Sequence, residues 1–272
     1  MGKRATWTGT LGFGLVSIPV KLYKGNEDPT VKFNQLHKEC LDKGGRIEQP
    51  KRCSVCGKTD LAPEDIIKGY PIGKDEWLPL GAGDFEGLPI GDADTIQIVE
   101  FVDPAVVDKR YIKGDFYYGV PDKGGAKAFA LLHAGIKEEG KVGIAKYTLR
   151  DKQHLVEIGL QGDVLIVHPL KYNAEIRDVK EYGEGLAEVK PEELNVARQL
   201  IGKLTLKLGP GADCLLKYHD EYTEALKERI ETKLAGGVVK VQPVVGAPKE
   251  GVGLLEALVA SVNAAEPEKV AV

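Results

Sequence analysis

From Pro191 onward the hydrophobic periodicity of this chain changes from a spacing of two to a spacing of 3.6. Most apolar runs before that point alternate as half-buried strands do; those after it recur as helical stripes. Strand-like runs occupy Trp7–Tyr23, Val31–Leu36, Tyr70–Ile72, Trp77–Leu80, Thr95–Val102, Tyr111–Val120, Val142–Leu149, Leu155–Leu160 and Val164–Leu170. In the first of these, Leu11, Phe13 and Leu15 share one phase and Ile18, Val20 and Leu22 the other, which predicts a bulge or bend near Ser17. One helix interrupts the strands, Lys123–Glu139, with Ala128, Phe129, Leu132 and Ile136 on one side and Gly140 as its cap.

Beyond the switch, Pro191 opens a helix with Glu192 and Glu193 beside its positive end, and Leu194, Ala197, Leu200, Ile201 and Leu204 form its stripe. A second helix over 220–235 aligns Tyr222, Leu226, Ile230 and Leu234 and stops at Gly236-Gly237. Two amphipathic helices after a run of strands need an apolar partner, either their own sheet or another chain. Residues 238–251 read as a linker, and Leu254, Leu255, Leu258, Val259 and Val262 make a short apolar helix. Such a helix is marginal alone in water, so it either docks a partner or packs back on its own chain.

The chain has 272 residues, enough for one large domain or two ordinary ones. With 29% charged and 43% hydrophobic residues it is globular in composition. No apolar stretch is long enough to span a membrane, and the start lacks a secretory pattern, so an intracellular setting is expected. Lys plus Arg is 37 against 41 Asp plus Glu, a net charge of −4 that argues on its face against a nucleic-acid partner. The charge is uneven, however. Residues 1–60 carry +5, residues 61–120 carry −7, and residues 121–180 return to +2.

The sharpest local motif is His37-x2-Cys40-x12-Cys53-x2-Cys56-Gly57. Three thiols and an imidazole in two knuckles can wrap a structural zinc ion, whose closed shell leaves no catalytic position; His37 can also be read as a polar strand residue. Cys214 stands apart and reads as a small core residue. No catalytic signature is present: there is no nucleophile elbow, phosphate loop or zinc-protease motif, and His133, His154, His168 and His219 are dispersed. Basic residues do cluster, with Lys21, Lys24 and Lys32 around the first turn, Arg46, Lys51, Arg52 and Lys58 in the cysteine loop, Lys146, Arg150 and Lys152 at a strand end, and Lys171, Arg177 and Lys180 after another. Such groups can neutralise phosphates without reading bases.

Several stretches together resemble prokaryotic Ku proteins. They are WTGTLGFGLVSIPVKLY from Trp7, FNQLHKEC from Phe33, the Cys53–Gly57 knuckle, DIIKGY from Asp65, PDKGG from Pro121, the strand from Ala145 to Leu155, and YHDEY from Tyr218. The resemblance runs in order from about residue 3 to 264. It implies an α+β fold: a β-barrel core with a bridge over residues 1–190, a helical dimerisation arm over 191–237, and a linker and terminal helix over 238–272. It further implies a homodimeric ring that threads onto double-stranded DNA ends without sequence preference or catalysis, and that recruits an ATP-dependent DNA ligase in non-homologous end joining in the cytoplasm of a prokaryote, at its nucleoid. The implied DNA contacts are Lys21, Lys24, Lys32, Lys51, Arg52, Lys68, Lys74, Lys146, Arg150, Lys152, Lys171 and Arg177. The arm stripes, including Leu226 and Ile230, become dimer interface, and the helix from Leu254 to Val262 becomes the ligase-recruiting element. Two departures stand out: a tail with one lysine and two glutamates where many relatives are lysine-rich, and a glycine-rich loop over 81–94. The rival reading from the residues is a zinc-ribbon transcription or RNA-processing factor.

Overall fold

A computed structural model describes residues 4–59, 61–88, 94–149, 152–183, 185, 187–206, 213–237 and 253–264. The chain divides into two compact units. The first comprises residues 1–28 and 33–177, the second residues 29–32 and 178–272.

Seven strands of the first unit close into a barrel: β1 (Trp7–Phe13), β2 (Val16–Lys24), β5 (Thr95–Val102), β6 (Tyr117–Pro121), β7 (Val142–Leu149), β8 (Lys152–Gln161) and β9 (Val164–Leu170). Their order around the barrel is β1-β2-β6-β9-β8-β7-β5. Every neighbouring pair is antiparallel except the seam, where β1 and β5 run parallel with Thr10 opposite Thr95. A closed barrel leaves no edge strand for a second chain to extend. Between β2 and β5 lies a two-stranded hairpin of β3 (Lys68–Gly73) and β4 (Glu76–Leu80), exposed along nearly its whole length.

The bulge or bend expected near Ser17 is a tight hairpin turn three residues earlier. Phe13 pairs with Val16 across a two-residue turn in which Gly14 has a φ of 58°, a conformation that a side chain disfavours. A two-residue turn sets odd positions of one strand opposite even positions of the next. That is why Leu11 and Ile18 both face inward although their phases in the sequence differ.

Inside the barrel, Ile18, Ile96, Ile158 and Leu165 are almost inaccessible and pack with Val20, Ala145 and Val156. The helix α1 (Ala126–Glu139) adds Phe129, Leu132 and Ile136 to this core, as its periodicity predicts, and ends at Gly140. Thr148, which alternation puts on an exposed basic face with Lys146, is buried and its hydroxyl has no partner among the described residues. Its cross-strand neighbour Gln153 accepts a hydrogen bond from the Tyr172 hydroxyl at 3.5 Å, which ties the segment after β9 to this strand pair.

The second unit contains α2 (Pro191–Leu204), α3 (Glu221–Leu234) and α4 (Leu254–Ala264). Asp220 caps α3, its carboxylate accepting from the Thr223 amide and hydroxyl. Cys214, expected in a core, is exposed: it lies in a turn begun by Asp213, beside Leu215 and Leu216, which are exposed as well. Among the described residues no helix is long and apolar enough to cross a membrane.

Candidate nucleic-acid interface and cysteine loop

The strand register sorts the two rims of the barrel. Lys24 ends β2 opposite Tyr117, Leu170 ends β9, Lys152 begins β8 opposite Leu149, and Trp7 and Thr95 begin the two seam strands. All of these lie at one end. Lys24, Lys152 and Lys171 therefore share a rim, and it is the rim from which residues 25–94 leave and to which they return. Towards the opposite rim lies a cavity of about 330 Å³ lined by Phe13, Phe101, Leu131, Leu132 and Ile136, with Glu139 and Lys141.

Not every lysine there is at liberty to meet a phosphate. The Lys24 ammonium lies 3.2 Å from an Asp115 carboxylate oxygen, and the Asn26 side-chain amide donates to the same oxygen at 2.8 Å. These two contacts, Asn26 first, hold the Asp115 carboxyl below the usual range. Farther along β2, Lys21 pairs with Asp122 at 2.7 Å; that bond lowers the Asp122 carboxyl and raises the Lys21 ammonium. Lys171 is half-buried and donates to the Arg110 carbonyl at 3.3 Å.

Other predicted contacts are open. Lys32, Lys51, Arg52, Lys68, Lys74, Lys146 and Lys152 are exposed and have no ion-pairing carboxylate among the described residues. Lys68 sits 4.3 Å over the Phe85 ring. Arg177 is exposed but engaged within the chain, and Arg150 lies outside the described residues. The acidic partners Asp115 and Asp122 were missing from the sequence-based site. They are separated from their lysines by some 90 to 100 positions, and only the β2–β6 pairing brings them close.

The cysteine loop forms as two local turns. Leu36 and Arg46 bridge a small hairpin whose tip sets His37 Nδ1 3.2 Å from Cys40 Sγ. In the other turn the Gly57 amide donates to the Cys53 carbonyl, with Gly57 at a φ of 74°. The amides of Cys56 and Val55 point at the Cys53 sulfur and, with the Cys56 side chain, lower its thiol pKa. The spacing predicts four ligands around one ion; each turn supplies two. Among the described residues no three His, Cys, Asp or Glu side chains converge closely enough to hold a metal.

The expected interface residues of the second unit are split. Leu194, Ile201, Leu204 and Tyr222 are exposed, whereas Ala197, Leu200, Leu226 and Ile230 are half-buried. In α4, Leu254, Leu255 and Val259 are exposed, and Leu258 and Val262 are half-buried.

A family model described as the Ku70/Ku80 beta-barrel domain matches residues 12–196. The Non-homologous end joining protein Ku of Archaeoglobus fulgidus is 40% identical over 263 residues, 96% of this chain and 99% of that protein. Its namesake in Desulfitobacterium hafniense is 35% identical over 266 residues, covering 97% of this chain and 88% of the relative. The Bacillus subtilis protein of that name is 34% identical over 261 residues, or 94% and 81% of the two chains. The family match starts within β1, takes in the rest of the barrel and its excursion, and ends inside α2, while the relatives extend the likeness over nearly the full length: this chain belongs to the Ku family.

Proposed function

We propose that the chain binds double-stranded DNA ends as a homodimeric ring, without sequence preference and without chemistry of its own, and serves non-homologous end joining as its relatives' name describes. One observation supports this reading most directly. The basic strand ends lie on the rim that carries the long 25–94 excursion, so a duplex held there would meet Lys152 directly, and Lys24 and Lys171 in exchange for their Asp115 and Arg110 partners, as well as Lys51, Arg52, Lys68 and Lys74 of the excursion. Contacts made by lysine and arginine to phosphates carry no base information. The exposed stripe of α2 and Tyr222 of α3 suit a second copy, and the apolar stripe of α4 suits recruitment of an ATP-dependent DNA ligase.

Zinc belongs to the same proposal. Its support is chemical: thiolates with an imidazole are a zinc donor set, and amides aimed at Cys53 Sγ favour the thiolate that a metal needs. His37, Cys40, Cys53 and Cys56 would hold the ion once the two turns meet, stiffening the excursion.

A ring enters duplex DNA only at an end. The test is competition between linear DNA and covalently closed circles of the same sequence, with linear DNA expected to compete far better; equal competition would overturn threading.

A further inference from the structure

The helix that the proposal above assigns to ligase recruitment is not free. α4 packs along α2, and α2 has no other helix packed so extensively against it among the described residues. Within the α4 stripe the central positions Leu258 and Val262 are half-buried, while the flanking Leu254, Leu255 and Val259 stay exposed. On α2 the matching half-buried side is Glu193, Val196, Ala197 and Leu200, residues spaced three and four apart as one helix face requires.

A hydrogen bond fixes how the two helices lie. The Lys203 ammonium, in the last turn of α2, donates to the Val262 carbonyl of α4 at 2.6 Å. Val262 is among the last four residues of α4, whose carbonyls have no partner within the helix. The two C-terminal ends therefore meet, which sets two negative dipole ends side by side. α4 has no basic residue in its own last turn. Lys203, the basic residue of α2's own last turn, also supplies the cation that the α4 end lacks. An eleven-residue helix is unstable alone in water, so the dock also keeps α4 helical.

From this geometry we infer that α2 is an intramolecular dock for α4, pinned by Lys203, and that the docked state withholds the recruitment stripe. Leu258 and Val262, the centre of the stripe, cannot face α2 and a partner's groove at once. Tethering through residues 238–252 keeps α4 at high effective concentration near its dock, so a ligase must displace α2 before it can bind. The withholding rests on the ligase-recruitment reading; the dock itself does not.

The experiment uses the full chain, its Lys203→Glu variant, and Val196→Glu, which alters the dock without touching α4. Hydrogen exchange at the α4 amides is compared with that of a synthetic peptide spanning 253–264. Binding to the ATP-dependent DNA ligase of the same host is measured in parallel. The parent chain should protect α4 tenfold or more relative to the peptide, both variants should lose most of that protection, and both should bind the ligase at least threefold tighter. Peptide-like exchange of α4 in the parent chain, or full protection in both variants, would overturn the dock. Lost protection with unchanged or weaker ligase binding would overturn the withholding. If the peptide alone fails to bind the ligase, recruitment by α4 is wrong, and the exchange data still decide the dock.

Discussion

Lys24 and Asp115 form an ion pair of 3.2 Å on the barrel rim that carries the long excursion, with Asn26 donating to the same carboxylate oxygen. The pair sets an acidic group beside a lysine assigned to phosphate contact. Asp115→Asn should therefore raise affinity for linear duplex, by a few-fold, since the carboxylate competes with phosphate and repels it. Lys24→Ala should lower affinity for all sequences alike and reduce the log-log salt slope by about 0.9. Fluorescence anisotropy across a salt series measures both. A tighter-binding Lys24→Ala would contradict the assignment.

Acid should erode stability through the same groups. The carboxyls of Asp103, Asp108, Asp115, Asp122, Glu175 and Asp220 all lie below their ordinary values in the folded chain. The unfolded chain then binds more protons in the acid range, so the stabilisation is complete above the ordinary carboxyl pKa of about 4 and is lost as pH falls through the lower folded values. Lys21 acts in the opposite sense, its contribution being lost only as alkaline pH passes its raised folded value. All these groups are solvent-accessible, so each effect is small. Thermal melts from pH 3 to 6 should flatten measurably in Asp122→Asn; a parent chain equally stable at pH 3 and pH 6 would refute the linkage.

Ile158 is fully buried in the barrel, between strands that are paired on both sides. Ile158→Ala should destabilise the barrel by roughly 2–5 kcal/mol, and Leu216→Ala, at an exposed position, by less than about 0.5 kcal/mol. Denaturant unfolding of the two variants checks the ordering.

Purified protein should carry close to one zinc per chain by elemental analysis, and the Cys53→Ser, Cys56→Ser double variant close to none, with the barrel's melting unchanged. In chelator-treated protein at neutral pH, iodoacetamide should modify Cys53 before Cys214, because the Cys56 and Val55 amides lower the Cys53 thiol pKa. A metal content near zero in the parent chain removes the zinc assignment.

Periodicity made most of the barrel legible. The strands β7, β8 and β9 lie where alternation puts them, and the inward set of β2 and the buried face of α1 follow from spacing alone. Two failures share a cause. The turn at Gly14-Leu15 shifts the phase of alternation just as a bulge does, and Thr148 reads as exposed: in both places alternation gives the phase and not what the surrounding chain does. The ion pairs at Lys21 and Lys24 were equally out of reach, since they depend on which strands become neighbours. The cysteine spacing located both turns, but spacing says nothing of whether two turns meet.

The parallel seam between β1 and β5 also has a cost in time. Thr10 and Thr95 are 85 positions apart, and closing a loop of that length costs about 4 kcal/mol of chain entropy before any contact repays it. During synthesis β1 can form its hairpin with β2 at once, but its other edge stays open until the whole excursion and β5 have emerged. An unpaired edge on a nascent chain invites the wrong strand. The length that lets the excursion reach out from the barrel is thus also the interval during which the barrel is most exposed to misassembly.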